Sequence, residues 1–186
     1  MDETLQTLIT LTGLSDDDYR FLKESADITQ EWVDDVITEF YDTLFGYEPT
    51  TRVFKPGERP DREETLRHWY MEVTSGQITP EFWQRQWHVG LVHIQRRVSN
   101  AFMLGIMGRI QRLFLQKCMA TFDPEQAEAI FCAFQRVTDV VAGLIAEGHY
   151  KNYVETMELV CGIRISLFQR MIDMEISKKL NGLRNH

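Results

Sequence analysis

Only three cysteines occur in the 186-residue chain, Cys118, Cys132 and Cys161, odd in number, widely spaced and set in apolar helical pattern. They offer neither a disulfide framework nor a CxxC pair, and free cysteines in such surroundings behave as small hydrophobes, as in a reducing compartment. Basic clusters are equally scarce. Arg96-Arg97 and Lys178-Lys179 are isolated pairs in a chain of net charge −8, which argues against a phosphate-binding face and a nucleic-acid partner. No run of about 18 uncharged apolar residues appears, since even MELVCGIRISLFQRMI carries Glu158, Arg164 and Arg170. The acidic start MDETLQTLIT lacks the basic-then-apolar order of a signal peptide. No membrane span is expected, and the chain reads as cytoplasmic. Glycine-rich phosphate loops, HExxH and GxSxG are missing, and the adjacent acidic pairs Asp34-Asp35 and Glu63-Glu64 point to different sides of a helix. Nothing in these residues requires an enzyme.

Strand signals are nearly absent as well, and helix signals take their place. With 44% apolar and 26% charged residues the composition is globular, and the length suits one domain. Asp123-Pro124-Glu125-Gln126 supplies an N-cap acceptor, a proline at the first helical position and a glutamine for a capping box. Ser15 with Asp18, Asp61 with Glu64, and Thr79-Pro80 mark further starts. Apolar residues between them keep a spacing of three to four, as in Leu66, Trp69, Tyr70 and Val73. The expected fold class is all-α, with helices near 2–12, 16–26, 29–46, 61–75, 80–96, 99–121, 124–151 and 153–180. The stretch GYEPTTRVFKPGERP, residues 46–60, is expected to be irregular. Gly105, Gly108 and Gly143 fall inside long helices, where close approach of another helix or of a flat ligand is the expected reason.

Residues 87–105, WHVGLVHIQRRVSNAFMLG, hold His88 and His93. Five residues apart on a helix, they diverge by about 140° and cannot chelate one ion together. His93 shares the inward face with Gln86, Val89 and Gly90, whereas His88 faces solvent. From spacing alone, His93 is either a core histidine with a satisfied hydrogen bond or an axial metal ligand. Gly90, one turn earlier, would clear room for a flat macrocycle, the setting in which a neutral imidazole holds haem iron. On the helix 29–46, Tyr41 lies on the stripe of Val33, Ile37, Leu44 and Phe45, so its hydroxyl enters the core, toward either a backbone carbonyl or a bound ligand. His68 lies on the side of Glu64 and Glu72 and is expected to face water.

VGLVHIQRRVSNAFMLG resembles the haem-binding signature of bacterial globin-coupled sensors. There an Ile/Val-Gly-x-x-His core is followed by an apolar residue, prolines, two aromatics and a Leu/Ile-Gly pair. Val89-Gly90, His93, Val98, Phe102-Met103 and Leu104-Gly105 take those places. EFYDTLF (39–45), LRHWYMEVTSG (66–76) and TDVVAGLIAEGHY (138–150) are similar to the distal-tyrosine helix, the helix crossing the distal face and the final globin helix, the last ending at Tyr150. The resemblance implies a globin fold with an extra N-terminal helix and a C-terminal extension, divided as a sensor globin domain over 1–152 and a helical extension over 153–186. It implies haem b (iron protoporphyrin IX) ligated by His93, with Tyr41 hydrogen-bonding the gas ligand, O₂, CO or NO. Leu44, Phe45, Phe54, Leu66, Trp69, Tyr70, Val73, Val89, Gly90, Val98 and Phe102 would line the pocket.

Ser99 and Asn100 depart from the family's usual prolines, and Arg96-Arg97 replace an apolar-glycine pair. Ser99 can cap the following helix; the arginines either meet haem propionates or are solvated. The implied function is a gas sensor, homodimeric through helices 99–121 and 124–151, that relays ligand state to a downstream signalling partner or domain. The alternatives are a non-haem globin-fold signalling module and a nitric oxide dioxygenase, the latter lacking any flavin or pyridine-nucleotide motif. The tail carries Met157, Val160, Leu167, Met171 and Met174 at heptad-like spacing broken by Arg164. It reads as a dimer coiled coil, a linker or a lid on the globin surface.

Overall fold

The computed structural model describes residues 1–184, which form nine α-helices and no strand. These are α1 (Asp2–Thr12), α2 (Asp16–Thr29), α3 (Val33–Gly46), α4 (Glu48–Thr51), α5 (Arg59–Thr74), α6 (Pro80–Arg96), α7 (Asn100–Thr121), α8 (Pro124–Cys161) and α9 (Ile165–Arg184). A single 3₁₀ turn, Gln30–Trp32, joins α2 to α3.

Most starts follow the caps legible in the sequence. The Asp123 carboxylate accepts the N–H groups of Glu125 and Gln126 at 3.1 and 3.0 Å, and Ser99 accepts that of Phe102 at 3.3 Å. The Ser15 N–H donates to Asp18 at 2.8 Å, and the same buried carboxylate receives Arg136 of α8 at 2.7 Å, so one cap also fastens α2 to the core helix. α5 departs from expectation: it begins at Arg59, with Pro60 in its first turn, and Asp61 caps nothing. Within 46–60 the four-residue α4 forms around Pro49, held by the Thr50 hydroxyl donating to the Tyr47 carbonyl at 2.7 Å.

α8 is the axis of the fold, packed on α1, α2, α6 and α7. Its Phe134 stacks on Phe114 of α7 with ring centroids 3.8 Å apart, at the centre of a core including Leu22, Val36, Phe82, Val137 and Leu144. By length and composition α8 is apolar enough to cross a membrane, but 56% of its most apolar window is buried within the protein, as in a core helix.

Two expectations about helices change. The break expected near residue 152 does not occur. The Asn152 side chain donates back to the Gly148 carbonyl at 2.7 Å, and α8 runs on to Cys161, where Gly162 at φ 67° ends it. The expected division at 152/153 therefore falls inside a continuous helix, and the tail helix α9 starts at Ile165 instead of 153. α9 leaves Leu167, Met171, Ile172, Met174 and Leu180 exposed, so it is not a lid on the globin surface. Gly105 and Gly108 face open space, with no atom within 4 Å of an added Cβ, whereas Gly143 receives Leu8 of α1.

Candidate ligand cavity

The cavity is built where α3, α5, α6 and α7 meet the middle of α8. Thr79 caps α6 by accepting the Phe82 N–H at 3.4 Å, and Pro80 follows in the first turn, which sets the phase of the helix. Phe82, Trp83 and Gln86 are thereby buried, and Gln86, Val89 and His93 follow one another along the cavity wall. α7 contributes Phe102, Met103, Ile106 and Ile110, α8 contributes Val141 and Ile145, and the turn after α4 contributes Phe54. The space is about 420 Å³ and opens to solvent at one side, within the ~300–1,000 Å³ typical of cofactor and small-molecule sites.

Of the residues named for the pocket, His93, Tyr41, Leu44, Phe54, Leu66, Trp69, Val89, Val98 and Phe102 line this space. Four implied residues do not. Tyr70 is wholly buried, donates its hydroxyl to the Thr29 carbonyl at 2.7 Å and packs beside Phe134, toward α2 and α8. Val73, one turn on, is buried in the same layer. Phe45 stands behind the wall, its ring 5.0 Å from Phe54. Gly90 opens no space for a ligand: a Cβ there would lie 2.5 Å from the His149 backbone nitrogen and 2.8 Å from the Ile145 carbonyl oxygen. Its bareness lets α6 cross α8 closely. Phe40, Val92 and Ile106 line the cavity without having been singled out, because periodicity gives direction around one helix and not which neighbour waits there.

Two polar side chains face each other's chemistry across this apolar interior. His93 Nδ1 is buried with no hydrogen-bond partner, and burial, with the nearby His149, lowers the imidazole pKa to about 4. At neutral pH His93 is an uncharged lone-pair donor. Tyr41 is 5% exposed, and burial raises its phenol well above the usual range, so it stays protonated. No hydrogen bond to protein contributes to its shift, in contrast to Tyr70, whose hydroxyl is already used. His88 and His68 are both exposed as expected, His68 lying 3.4 Å from Glu64. No group of three or more His, Cys, Asp or Glu converges on a metal position among the described residues.

The mouth is charged. Arg96, three residues past His93, donates through both terminal nitrogens to the two oxygens of Glu58, at 2.8 and 2.5 Å. That pairing draws the Glu58 carboxyl down to about 2. Arg96 is thus paired within the protein and is not solvated as one reading of the arginine pair had it, while Arg97 is exposed. Arg97 ends α6 in the left-handed region at φ 57°, with the Val98 N–H returning to the His93 carbonyl at 2.9 Å. This conformation costs a side-chain-bearing residue about 1–2 kcal/mol. Arg97→Gly is accordingly expected to raise stability by about 1 kcal/mol, measured by urea denaturation, and an unchanged or lowered midpoint would contradict the strain.

The residues fit a flat, apolar macrocycle whose metal takes one neutral nitrogen. A family model described as Protoglobin matches residues 1–155. An uncharacterised protein of Methanocaldococcus jannaschii is 22% identical over 97 residues, which cover 50% of this chain and 51% of that protein, so the chain spans about half the length of this relative. The globin domain of a Geobacter sulfurreducens globin-coupled sensor superposes with a TM-score of 0.69 at 16% identity, over 78% of this chain and 96% of that one. The shared helical architecture is the globin fold, and with the family match running from the first residue into the exposed end of α8, the chain belongs to the protoglobin family.

Proposed function

We propose that this chain is a haem-based gas-sensing globin that binds haem b through His93 and takes O₂, CO or NO with Tyr41 as hydrogen-bond donor. The observation that carries the reading is the unpartnered, uncharged His93 on the wall of an apolar cavity of about 420 Å³. A core histidine retained for packing would have its ring nitrogens satisfied. The alternative of a non-haem signalling module, whose pocket is filled by its own side chains, does not leave such a space.

Haem, when bound, would supply the iron to which a diatomic gas coordinates. The protein's part follows from its own groups. His93 needs no deprotonation at neutral pH to offer Nε2 as a ligand. Tyr41 keeps its proton and has no competing partner for it, so its O–H is available to a gas ligand. Leu44, Leu66, Trp69, Val89 and Ile110 make the wall of the space between apolar. No reaction is assigned; the chain is read as a binding and relay protein acting in the cytoplasm.

Relay is proposed to run through a homodimer. The outer face of α7 presents Leu104 and Met119, 53% and 69% exposed, around the bare Gly105 and Gly108, a surface on which another helix can lie closely. The corresponding length of α8 is mostly enclosed by its own chain. Movement of α6 on gas binding would pass to α8 through the Gly90 crossing, and from α8 to its exposed end, α9 and a downstream partner.

The gas-binding step is tested by Tyr41→Phe in the haem-reconstituted protein. Loss of one hydrogen bond, about 0.5–1.5 kcal/mol, should accelerate O₂ dissociation about three- to ten-fold while changing CO dissociation less. Equal O₂ dissociation from the two proteins in stopped-flow measurements would remove Tyr41 from the proposed role.

A further inference from the structure

Glu58 stands at the start of α5 with its side chain only 11% exposed, and it is held from three sides. Arg96 grips both of its oxygens, the Lys55 N–H donates to Oε2 at 3.0 Å, and Arg62 Nε approaches Oε1 at 3.4 Å. That last approach lacks hydrogen-bond geometry, and Arg62 Nε remains buried and unpartnered. Arg62 and Arg96 both line the cavity. Two guanidinium groups at the mouth therefore share one carboxylate beside an otherwise apolar interior, while Arg59 close by is held between two carboxylates, Asp42 and Glu63. The Glu58–Arg96 pair also joins the segment carrying Phe54 to the helix carrying His93, so it closes one wall of the cavity against another.

We infer that Glu58, Arg62 and Arg96 form an anion-selective latch, in which Glu58 holds the mouth shut in the ligand-free chain and the carboxylates of an entering macrocycle displace it from the two arginines. The inference rests on the proposed haem-binding reading and adds to it a residue, Glu58, that competes with the ligand. Exchange of one carboxylate for another keeps the number of charge-assisted bonds at the mouth, so the latch can open without stranding a half-buried arginine. A ligand with the same apolar body and no carboxylate opens the latch without replacing what it breaks.

The test uses metal-free protoporphyrin IX and its dimethyl ester, which share a ring and differ in charge, with binding to the full-length apoprotein followed by porphyrin fluorescence. Wild type should prefer the diacid. Glu58→Gln should raise the diacid-over-ester preference at least about three-fold and speed diacid association, and Arg96→Gln should lower the preference about ten-fold, as loss of a charge-assisted pair implies. A general loss of folding would move the two variants in the same direction, so opposite movement is specific to the latch. A preference unchanged in both variants, with wild type still binding, would overturn the latch alone. Failure of wild type to bind either porphyrin would overturn the haem-binding reading and the latch with it.

Discussion

His93→Leu is expected to stabilise the apoprotein and to remove its tight binding of haem. A buried polar atom without a partner costs about 1–3 kcal/mol, and Nδ1 of His93 is such an atom. Leucine fills much of the same volume with apolar atoms beside Val89, Leu66 and Ile110, so a gain of about 1 kcal/mol is expected. For a chain of this size that corresponds to a rise in Tm of about 2–4 °C. The advantage should widen in acid. The folded state holds the His93 pKa down from 6.5 to about 4, so between those values the unfolded chain binds the extra proton and wild type loses stability as pH falls. The leucine variant has no such proton to bind. Haem affinity should fall by more than ~100-fold, exceeding the ~10–100-fold that loss of a metal ligand's outer partner costs. A residue that improves function while weakening the fold is the signature of a site. A variant less stable than wild type across this pH range would instead make His93 a packing residue.

Gly90→Ala is expected to weaken both the fold and the site. The added Cβ would lie 2.5 Å from the His149 nitrogen, 2.8 Å from the Gly148 carbonyl carbon and 2.8 Å from the Ile145 oxygen, all backbone atoms that cannot rotate away. Gly148 meets the reciprocal constraint, since its own Cβ would sit 2.7 Å from the Trp87 oxygen. The two bare positions thus fix how closely α6 crosses α8. Overpacking costs about 1–3 kcal/mol and is expected here near its upper end. The better helix propensity of alanine returns up to about 1 kcal/mol, leaving about 2 kcal/mol of net loss and a Tm lower by about 4–8 °C. Because α6 carries His93, the same displacement should reduce haem affinity. Gly105→Ala is the matched control, with nothing within 4 Å of its Cβ, and should be neutral or slightly stabilising. Equal Tm values for the two alanine variants would show that α6 and α8 can separate freely.

The all-α class and most of the helix starts were legible in the sequence because they are set locally, and nine of the thirteen residues named for the pocket lie on the wall of one cavity. Thr79-Pro80, Ser99 and Asp123 act on backbone groups two or three residues away, and the inward face of α6 follows from helical phase. Tyr70 and Val73 lie away from the cavity although they share the apolar stripe of α5 with Leu66 and Trp69, because a stripe touches more than one neighbour. Phase cannot tell which part meets the cavity and which meets Phe134. Gly90, one turn before His93, does mark a close approach, but of a backbone 58 residues on and not of open space for a ligand. The Glu58–Arg96 pair spans 38 residues and a proline-rich segment, so no periodicity announces it. At the end of α8, a glycine flanked by apolar residues was the available stop signal, and the helix ends there.

The central claim is that this cavity holds one haem through His93. Titration of ferric haem into wild-type apoprotein and into His93→Leu, followed by the Soret band, tests it most directly. A sharp band saturating at one haem per chain in wild type, and weak or absent in the variant, is the predicted result. No Soret band in wild type, or an undiminished one in His93→Leu, would contradict it.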